Sequence, residues 1–453
     1  MTSPNESRPA KSSFRWVICA LLFFATTFNY LDRQVISYLK EFFCTPTDQG
    51  GFGWTNTDFA HLTSAFTAFY AGMTVIAGWV IDKIGTKLGL ALSLIVWSIF
   101  GIANAFVGKL VMMHILVRSA FGVGEAGNFP ASIKTVAEWF PKRERALATG
   151  IFNSGSNFGA MVAALFVPWC MIHYGDQQGW KMAFIYTGAV GFLWLIFWFL
   201  FYDTPAKHKW LSQSEYKYIH VDDEAAVKET NGDTAKASWF RLLKYRQTWC
   251  FFFGKFMTDG IWWFYLFWLP DYLKKQFGMT KHDVMLPTFI VYGIAIIGSV
   301  GGGSIPMALI KRGMPVYKAR MTAMFIIALF PLAVLTTQYF ANVNQFGNMA
   351  SWLAVGVICI GAAAHQAWSA NMFTTVSDMF PKKAVGSVTG IGAMAGGLGG
   401  VLVQLLVGAL TDAYKATPQT AYLIMFIVCA LSYLTAWAIM KALVPRHRPI
   451  TDL

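Results

Sequence analysis

Charged side chains are scarce in this chain of 453 residues. Asp, Glu, Lys and Arg make up 13% of it, whereas a soluble globular protein carries about 25%. Hydrophobic residues make up 56%, and the mean hydropathy is +0.47. This composition excludes a water-soluble domain and disfavours a protein that binds nucleic acid. Lipid is therefore the expected solvent for most of the chain.

Sequence motifs of enzymes are also missing. The chain has no HExxH, GxSxG or Walker-type string, and its six cysteines show no CxxC or zinc-type spacing. His114, His365 and Cys359 belong to no pattern of metal ligands or of nucleophile and base. We therefore expect neither an enzyme nor a bound metal or cofactor. A membrane sensor is disfavoured as well, because the longest polar segment is too short to fold into an output domain.

Long apolar runs are what the sequence does contain. About twelve of them reach the roughly 20 residues that a helix needs to cross a bilayer. The sequence thus predicts an all-α polytopic membrane protein with 12 transmembrane helices. The predicted helices begin near Trp16, Phe59, Leu88, Val111, Ala146, Met182, Trp249, Met285, Ala319, Trp352, Val385 and Ala421.

An internal repeat divides the chain into two halves. Shifting the sequence by 240 positions aligns the segment 136–143 with 376–383, and the match continues from Thr149 onto Thr389. The junction between helices 4 and 5 thus recurs between helices 10 and 11, which predicts two parallel six-helix bundles with a site between them. The predicted parts are an N-terminal tail (1–14), a first bundle (15–202), a central loop (203–247), a second bundle (248–442) and a C-terminal tail (443–453).

The distribution of basic residues predicts the orientation. Most of the 36 Lys and Arg residues fall in the tails and in alternate loops, which the positive-inside rule places in the cytoplasm together with both termini. The net charge of +13 thus reflects topology and requires no nucleic-acid partner. Cys44 and Cys170 fall near the outer face; free thiols are the preferred interpretation, and a bridge stays open. The predicted outer loops hold Lys40, Lys109, Lys181, Lys274, Lys275, Lys281 and Lys415.

A short motif lies between helices 2 and 3. Gly78, Asp82, Lys83 and Gly85 form the pattern GxxxDKxG, which resembles the loop signature of the major facilitator superfamily. Gly78 permits close helix approach, and Asp82 can sit at a helix N-terminus or meet a basic group. We expect these residues to act in structure and gating. The second half has only Ile310-Lys-Arg-Gly313 at this place.

Two arginines fall within predicted spans at a similar depth. At 1.5 Å per residue, Arg33 lies about 10 Å and Arg118 about 13 Å below the outer end. A charged side chain in a membrane is costly, and each guanidinium is a rigid fork of donors that suits a carboxylate. The pair therefore indicates an anionic substrate. The alternative is that each arginine pairs only with a neighbouring acid or helix end.

Acids in the same spans are candidates for proton coupling. Glu125 lies seven residues after Arg118 and faces the same way, with His114 further along that stripe. Glycines around Glu125 reduce its hydration, which favours the protonated form. Asp32 is the second candidate, although consecutive helix residues point about 100° apart and Asp32 does not share a face with Arg33. A static ion-pair network is the alternative for both acids.

Helices 7 and 10 carry polar and aromatic side chains suited to hydroxyl groups. The repeat places His365 at the position of Glu125, although such a histidine is often a hydrogen-bonded core residue. Asp259 precedes an aromatic run on helix 7. The further candidates are Gln366, Trp368, Ser369 and Asn371 on helix 10 and, as a secondary one, Asn153.

Taken together, these residues resemble the anion:cation symporter family over essentially the full chain. Bacterial hexuronate transporters are the most similar branch. The resemblance rests on four groups of residues: Tyr30 to Arg33, Arg118 with Glu125, Glu138 to Arg145, and His365 to Asn371. It implies that Arg33 and Arg118 bind a carboxylate, that Asp32 and Glu125 couple protons, and that Tyr30 and Tyr70 line the sugar site. The aldonate branch has an asparagine about where this chain has Ala393, which weakens a galactonate assignment.

The function predicted on these grounds is proton-coupled import of a sugar-acid anion by alternating access, with a hexuronate (galacturonate or glucuronate) favoured. Another organic anion, such as an aldonate, an aldarate or a dicarboxylate, is the alternative within transport. The expected setting is the inner membrane, with the sugar acid, protons and lipid as partners and a monomeric chain.

Overall fold

The computed structural model describes residues 13–221, 239–380, 382–446 and 450. Parts of the predicted N-terminal tail, central loop and C-terminal tail lie outside the described residues, as does Pro381 of the internal repeat. The described α-helices are α1 (Phe14–Cys44), α2 (Asn56–Ile84), α3 (Thr86–Ala103), α4 (Val111–Glu125), α5 (Asn128–Trp139), α6 (Lys142–Phe201), α7 (Gln213–Ile219), α8 (Trp239–Leu242), α9 (Arg246–Phe277), α10 (Met285–Lys311), α11 (Val316–Leu329), α12 (Thr337–Phe340), α13 (Val343–Phe346), α14 (Met349–Met379), α15 (Lys382–Ala413) and α16 (Pro418–Leu443).

These helices form the 12 predicted spans. Nine helical stretches of the described residues are long and apolar enough to cross a membrane, and one of them, 147–201, contains two spans because Gly175 is non-helical at φ 70°. A further span combines α4 and α5, which are separated by a break after Glu125. The last is α9, whose mean hydropathy is lowered by Lys255, Asp259 and Asp271. Charged side chains thus lower the hydropathy of α9, whereas the span formed by α4 and α5 is divided into two short helices.

Glycines on α15 let the two halves approach closely. A Cβ added at Gly397 would lie 2.2 Å from the Cβ of Ala71 on α2, and one added at Gly408 would lie 2.3 Å from the Cβ of Ala60. Real Cβ atoms do not approach so closely, so this seam requires glycine. Elsewhere in the interface, α6 packs against α10 and α1 packs against α9.

Ion pairs tie the two halves together at the predicted outer end, where the seven lysines assigned to outer loops occur. Lys40 on α1 lies 2.8 Å from Asp271 on α9, and Lys274 lies 2.7 Å from Glu41. The backbone N–H of Thr57 on α2 donates to the carboxylate of Asp412 at 2.6 Å. This end is therefore closed in the structure.

At the opposite end, the described ion pairs include several that stay within the first half. Asp82 lies 3.0 Å from Lys134 on α5, and Lys87 lies 3.2 Å from Asp203. Arg15 of α1 binds Glu144 at 2.8 Å and Glu215 of α7 at 2.9 Å. The segment after the sixth span is thereby attached to the first bundle.

The motif between α2 and α3 has a clear local geometry. Asp82 pairs with a basic group, Lys134, which was one of the two alternatives predicted for it. The ammonium of Lys83 lies 3.8 Å from the ring centre of Trp79. Gly85 ends α2 at φ 86°, a left-handed conformation that favours glycine. A Cβ at Gly78 would lie 3.8 Å from the Cβ of Pro130, an ordinary contact, so helix packing there does not require glycine.

Candidate functional site

Arg33 lies at the interface between the halves. Its guanidinium carbon lies 4.3 Å from the ring centre of Tyr30, 4.6 Å from that of Tyr70 and 5.3 Å from that of Trp263, which belongs to the second half. Only 1% of its side chain is exposed. Aromatic faces attract a cation without neutralising it, so this arrangement holds the charge in place and leaves it able to bind an anion.

Glu125 is the acid that balances this charge. Its Oε2 accepts a hydrogen bond from Nε of Arg33 at 2.9 Å, and its other oxygen has no hydrogen-bond partner among the described residues. The side chain is fully buried at the end of α4. Nearby glycines bring the helices together, since a Cβ at Gly122 would lie 2.8 Å from the carbonyl oxygen of Phe66 and one at Gly124 would lie 2.5 Å from the backbone nitrogen of Trp97.

Arg118 is in direct contact with the backbone of Arg33. Its Nη2 donates to the carbonyl oxygen of Arg33 at 3.0 Å, and its guanidinium carbon lies 4.5 Å from the ring centre of Phe121. Its Nη1 is buried and has no hydrogen-bond partner in the described part of the chain. One guanidinium donor is therefore available beside the paired Arg33.

Asp32 is buried on another face of α1. It is 2% exposed, and neither of its carboxylate oxygens makes a hydrogen bond within the ranges described. Arg118 and Glu125 are close enough to act on it electrostatically. The structure thus places both acids and both arginines in one cluster, and it joins Arg33 to Glu125 rather than to its sequence neighbour Asp32.

The wall contributed by α14 contains some of the predicted polar residues. His365 stacks on Trp262 with ring centres 5.0 Å apart, and its Nδ1 lies 2.8 Å from the hydroxyl of Tyr433. Gln366 donates to Oδ1 of Asn157 on α6 at 3.4 Å and so links the two halves. His365 is therefore hydrogen-bonded within the second half, as the alternative interpretation of this residue expected. Gln366, in contrast, faces the first half.

Three further predicted residues make contacts with neighbouring helices or loops. Trp368 is fully buried against Tyr433. The amide of Asn371 donates to the backbone carbonyls of Gly302 and Ala367, each at 2.9 Å, and thereby joins α14 to α10. His114 lies among aromatic rings at the predicted outer end, where its Nε2 is 2.9 Å from the carbonyl oxygen of Gly108.

The remaining candidates are half-buried, and sequence reasoning passed over two others. Ser369 and Asn153 are half-buried on α14 and α6. Trp263 belongs to the aromatic run after Asp259 and was not a predicted site residue, yet it contacts Arg33. Lys255 was not a predicted site residue either, yet it pairs with Asp259 at 2.7 Å. The sequence signal that could have revealed this pair is the spacing of four residues between two opposite charges on one helix. All six cysteines are free, including Cys44 and Cys170.

Comparison with known proteins defines the family. Residues 22–404 match the Major Facilitator Superfamily. The chain belongs to this superfamily. The membrane-spanning fold agrees with solved members: the chain superimposes on a D-xylose-proton symporter with a TM-score of 0.72 at 16% identity, covering 97% of this chain and 100% of the other. A bacterial homologue of the human lysosomal transporter Spinster, in an inward-facing and unoccupied conformation, gives 0.71 at 16% identity, covering 96% and 99%.

Several proteins of similar sequence are transporters of sugar acids. The chain is 29% identical to a hexuronate transporter of Escherichia coli, with 94% of each chain covered. It is 26% identical to a D-galactonate transporter of Escherichia coli, covering 95% and 96%. It is also 32% identical to a galacturonate transporter of Dickeya chrysanthemi, over 66% of this chain and 83% of the other. This is therefore a multi-pass membrane transport protein that resembles hexuronate transporters.

Proposed function

We propose that the protein is a proton-coupled symporter that imports a sugar-acid anion, with a hexuronate favoured, across the inner membrane. The observation that supports this proposal most directly is the buried pair of Arg33 and Glu125, 2.9 Å apart within an aromatic enclosure. Such a pair can accept an anion only if the acid gives up its charge, because a second negative group beside an ionised Glu125 is repelled.

The coupling follows from this exchange of partners. Protonation of Glu125 removes the counter-ion of Arg33, and the substrate carboxylate then takes its place on the guanidinium, where two parallel hydrogen bonds are possible. The unpaired Nη1 of Arg118 is a second donor for the same group. Asp32 is the second acid in the cluster and the second proposed proton carrier. Proton and anion thus stabilise each other in a site that neither enters readily alone.

The energetics allow either electroneutral or electrogenic transport. One proton carried with one monoanion moves no net charge. Each additional proton gains about 2.3 kcal/mol per 100 mV of membrane potential. A second proton on Asp32 would therefore make uptake depend on membrane potential as well as on the pH gradient.

Recognition of the sugar part is assigned to residues around the arginines. Tyr30 and Tyr70 are half-buried beside Arg33 and offer hydroxyl groups together with aromatic faces. Gln366 adds an amide from the second half. A site that binds hydroxyls from both halves would favour closure around a loaded substrate, as alternating access requires.

An aldonate or an aldarate is the second candidate class of substrate. The relatives include the D-galactonate transporter and a probable galactarate/D-glucarate transporter of Escherichia coli, which is 28% identical over 88% of both chains. All these solutes share a carboxylate next to a polyol, so Arg33 alone does not distinguish them.

Counterflow in proteoliposomes against a panel of sugar acids tests the proposal. Labelled galacturonate should accumulate in vesicles preloaded with unlabelled galacturonate or glucuronate, and an inward pH gradient should drive net uptake. Neutral hexoses serve as the control solutes and should not exchange. Absence of exchange with every acid in the panel would overturn the proposed function, and preferential exchange with aldonates or aldarates would assign the second class.

A further inference from the structure

A second buried ion pair lies on α9, in the half opposite Arg33. The ammonium of Lys255 is 2.7 Å from Oδ2 of Asp259, and the two side chains are 8% and 20% exposed. Neither charge takes part in the exchange proposed for Arg33 and Glu125. Ionisable groups within a membrane span are costly and are functional candidates by default. Lys255 and Asp259 are therefore candidates for a function separate from that of Arg33 and Glu125.

The pair lies on the side of α9 that approaches Arg33. Asp259 and Lys255 precede Trp263 by four and eight residues, which places them about 6 and 12 Å further along the helix on a shared side. Trp263 itself lies 5.3 Å from the guanidinium of Arg33. Lys255 therefore lies at some distance from Arg33 along the interface rather than beside it.

The neighbouring helix confirms this position at the interface. Asp259 fits against α15 at Gly396, where an added Cβ would lie 2.2 Å from its Oδ2. The next residue, Gly397, contacts Ala71 of the first half. The partly exposed carboxylate of Asp259 thus occurs where the two bundles meet.

The chemistry of the pair parallels that of Arg33 and Glu125. Each half holds a buried cation against an acid at less than 3 Å. An ammonium has three donors, and Asp259 accepts from one of them, while the ring centre of Phe373 lies 4.9 Å from the nitrogen. By the rule applied to Arg33 and Glu125, Lys255 can therefore bind a further negative group when Asp259 gives up its charge.

We propose that Lys255 is a second carboxylate-binding pole, so that a sugar acid with a carboxylate at each end of a six-carbon chain bridges Arg33 in one half and Lys255 in the other. The inference rests on the proposed function, because it assumes that the interface binds sugar acids. It assigns a residue to the second carboxylate of an aldarate, the dianionic member of the second candidate class of substrate.

Galactonate and galactarate form a matched pair of probes, because both are open-chain acids and they differ only in bearing a hydroxymethyl group or a carboxylate at C6. Each is used to inhibit counterflow of labelled galacturonate in proteoliposomes, and the ratio of the two inhibition constants is measured. The wild-type protein should bind galactarate more tightly. Lys255→Met should reduce that preference at least tenfold, since a charge-assisted contact is lost.

Asp259→Asn provides the opposing change, because it releases Lys255 and should increase the preference for galactarate. A purely structural ion pair would affect both probes alike in both variants, and that result would overturn the inference. If Lys255→Met does not fold, the neutral double variant K255M/D259N is measured instead, and it should also lose the preference. Normal galacturonate exchange without a preference for galactarate would contradict this inference alone, whereas absence of any exchange would contradict the proposed function.

Discussion

At the scale of single residues, the position of Arg33 explains why its charge is tolerated within a membrane span. The guanidinium is enclosed by aromatic rings, and its Nη2 donates to Oδ1 of Asn29 at 3.2 Å in addition to the bond with Glu125. Contacts of this kind offset the cost of removing a cation from water only when the geometry is well satisfied. A side chain of another shape at this position would therefore lose the hydrogen bond to Glu125 and the contact proposed with the substrate carboxylate.

Arg33→Lys tests the importance of that shape. Lysine keeps the positive charge but lacks the planar fork, so we expect kcat/KM for sugar-acid counterflow to fall about tenfold to a hundredfold. Arg312→Lys, outside the site, is the control and should transport normally. Wild-type rates in Arg33→Lys would show that a carboxylate is bound elsewhere.

Sequence reasoning identified the members of this charged cluster but not all their partners. Arg33, Arg118, Asp32 and Glu125 were recognisable because charges are rare in apolar spans. Their pairing depends on helix rotation, which joined Arg33 to a residue 92 positions away. Asn371 and Trp368 read as site residues by type alone, yet their side chains face neighbouring helices, which only the packing of α14 determines.

At the scale of secondary-structure elements, α2 and α15 pack along a surface that requires glycine at two positions of α15. Gly397 and Gly408 lie against alanines of α2 at distances that leave no room for a Cβ. The glycine-rich sequence of α15 was visible from the start. The helix that packs against α15 could not be predicted, because composition does not specify which neighbour a stripe of small residues contacts.

Gly397→Ala should destabilise this contact. An added methyl group 2.2 Å from Ala71 forces the helices apart, and overpacking of this kind costs about 1 to 3 kcal/mol. We expect a lower Tm in detergent. Gly301→Ala on α10 is the matched control, since a Cβ there meets nothing within 4 Å and alanine favours a helix. An unchanged or raised Tm for Gly397→Ala would contradict the close contact.

At the scale of the whole molecule, two bundles and one closed end define the state of the protein. The count of spans and their division into halves followed from hydrophobic length and the internal repeat, both of which are visible in this sequence. The closed end could not be predicted in this way. It depends on pairs such as Lys40 with Asp271, whose members belong to different halves and are brought together by docking.

Asp271→Asn should open the predicted outer end. The carboxylate of Asp271 is bound by Lys40, by Lys275 at 3.1 Å and by the hydroxyl of Tyr422. Its neutralisation leaves Lys40 buried without a counter-ion, which costs about 3 to 5 kcal/mol in buried pairs. We expect Cys44, which lies at the same end, to react at least tenfold faster with a membrane-impermeant maleimide.

The control for this change is Asp176→Asn, which removes the exposed partner of Lys281. An exposed pair contributes about 1 kcal/mol or less, so labelling of Cys44 should change little in that variant. Equal labelling rates in the wild-type protein and both variants would argue against a role for the Asp271 cluster in closure.

The dependence of anion uptake on a proton at Glu125 is the central claim, and it is tested most directly by recording proton and sugar-acid fluxes in the same proteoliposomes. In the wild-type protein, added galacturonate should acidify a lumen that contains a pH-sensitive dye. Glu125→Gln should abolish this acidification and uphill uptake while counterflow continues, and Glu138→Gln, a glutamate variant outside the cluster, should behave as the wild type. Uphill uptake with normal acidification in Glu125→Gln would contradict the claim.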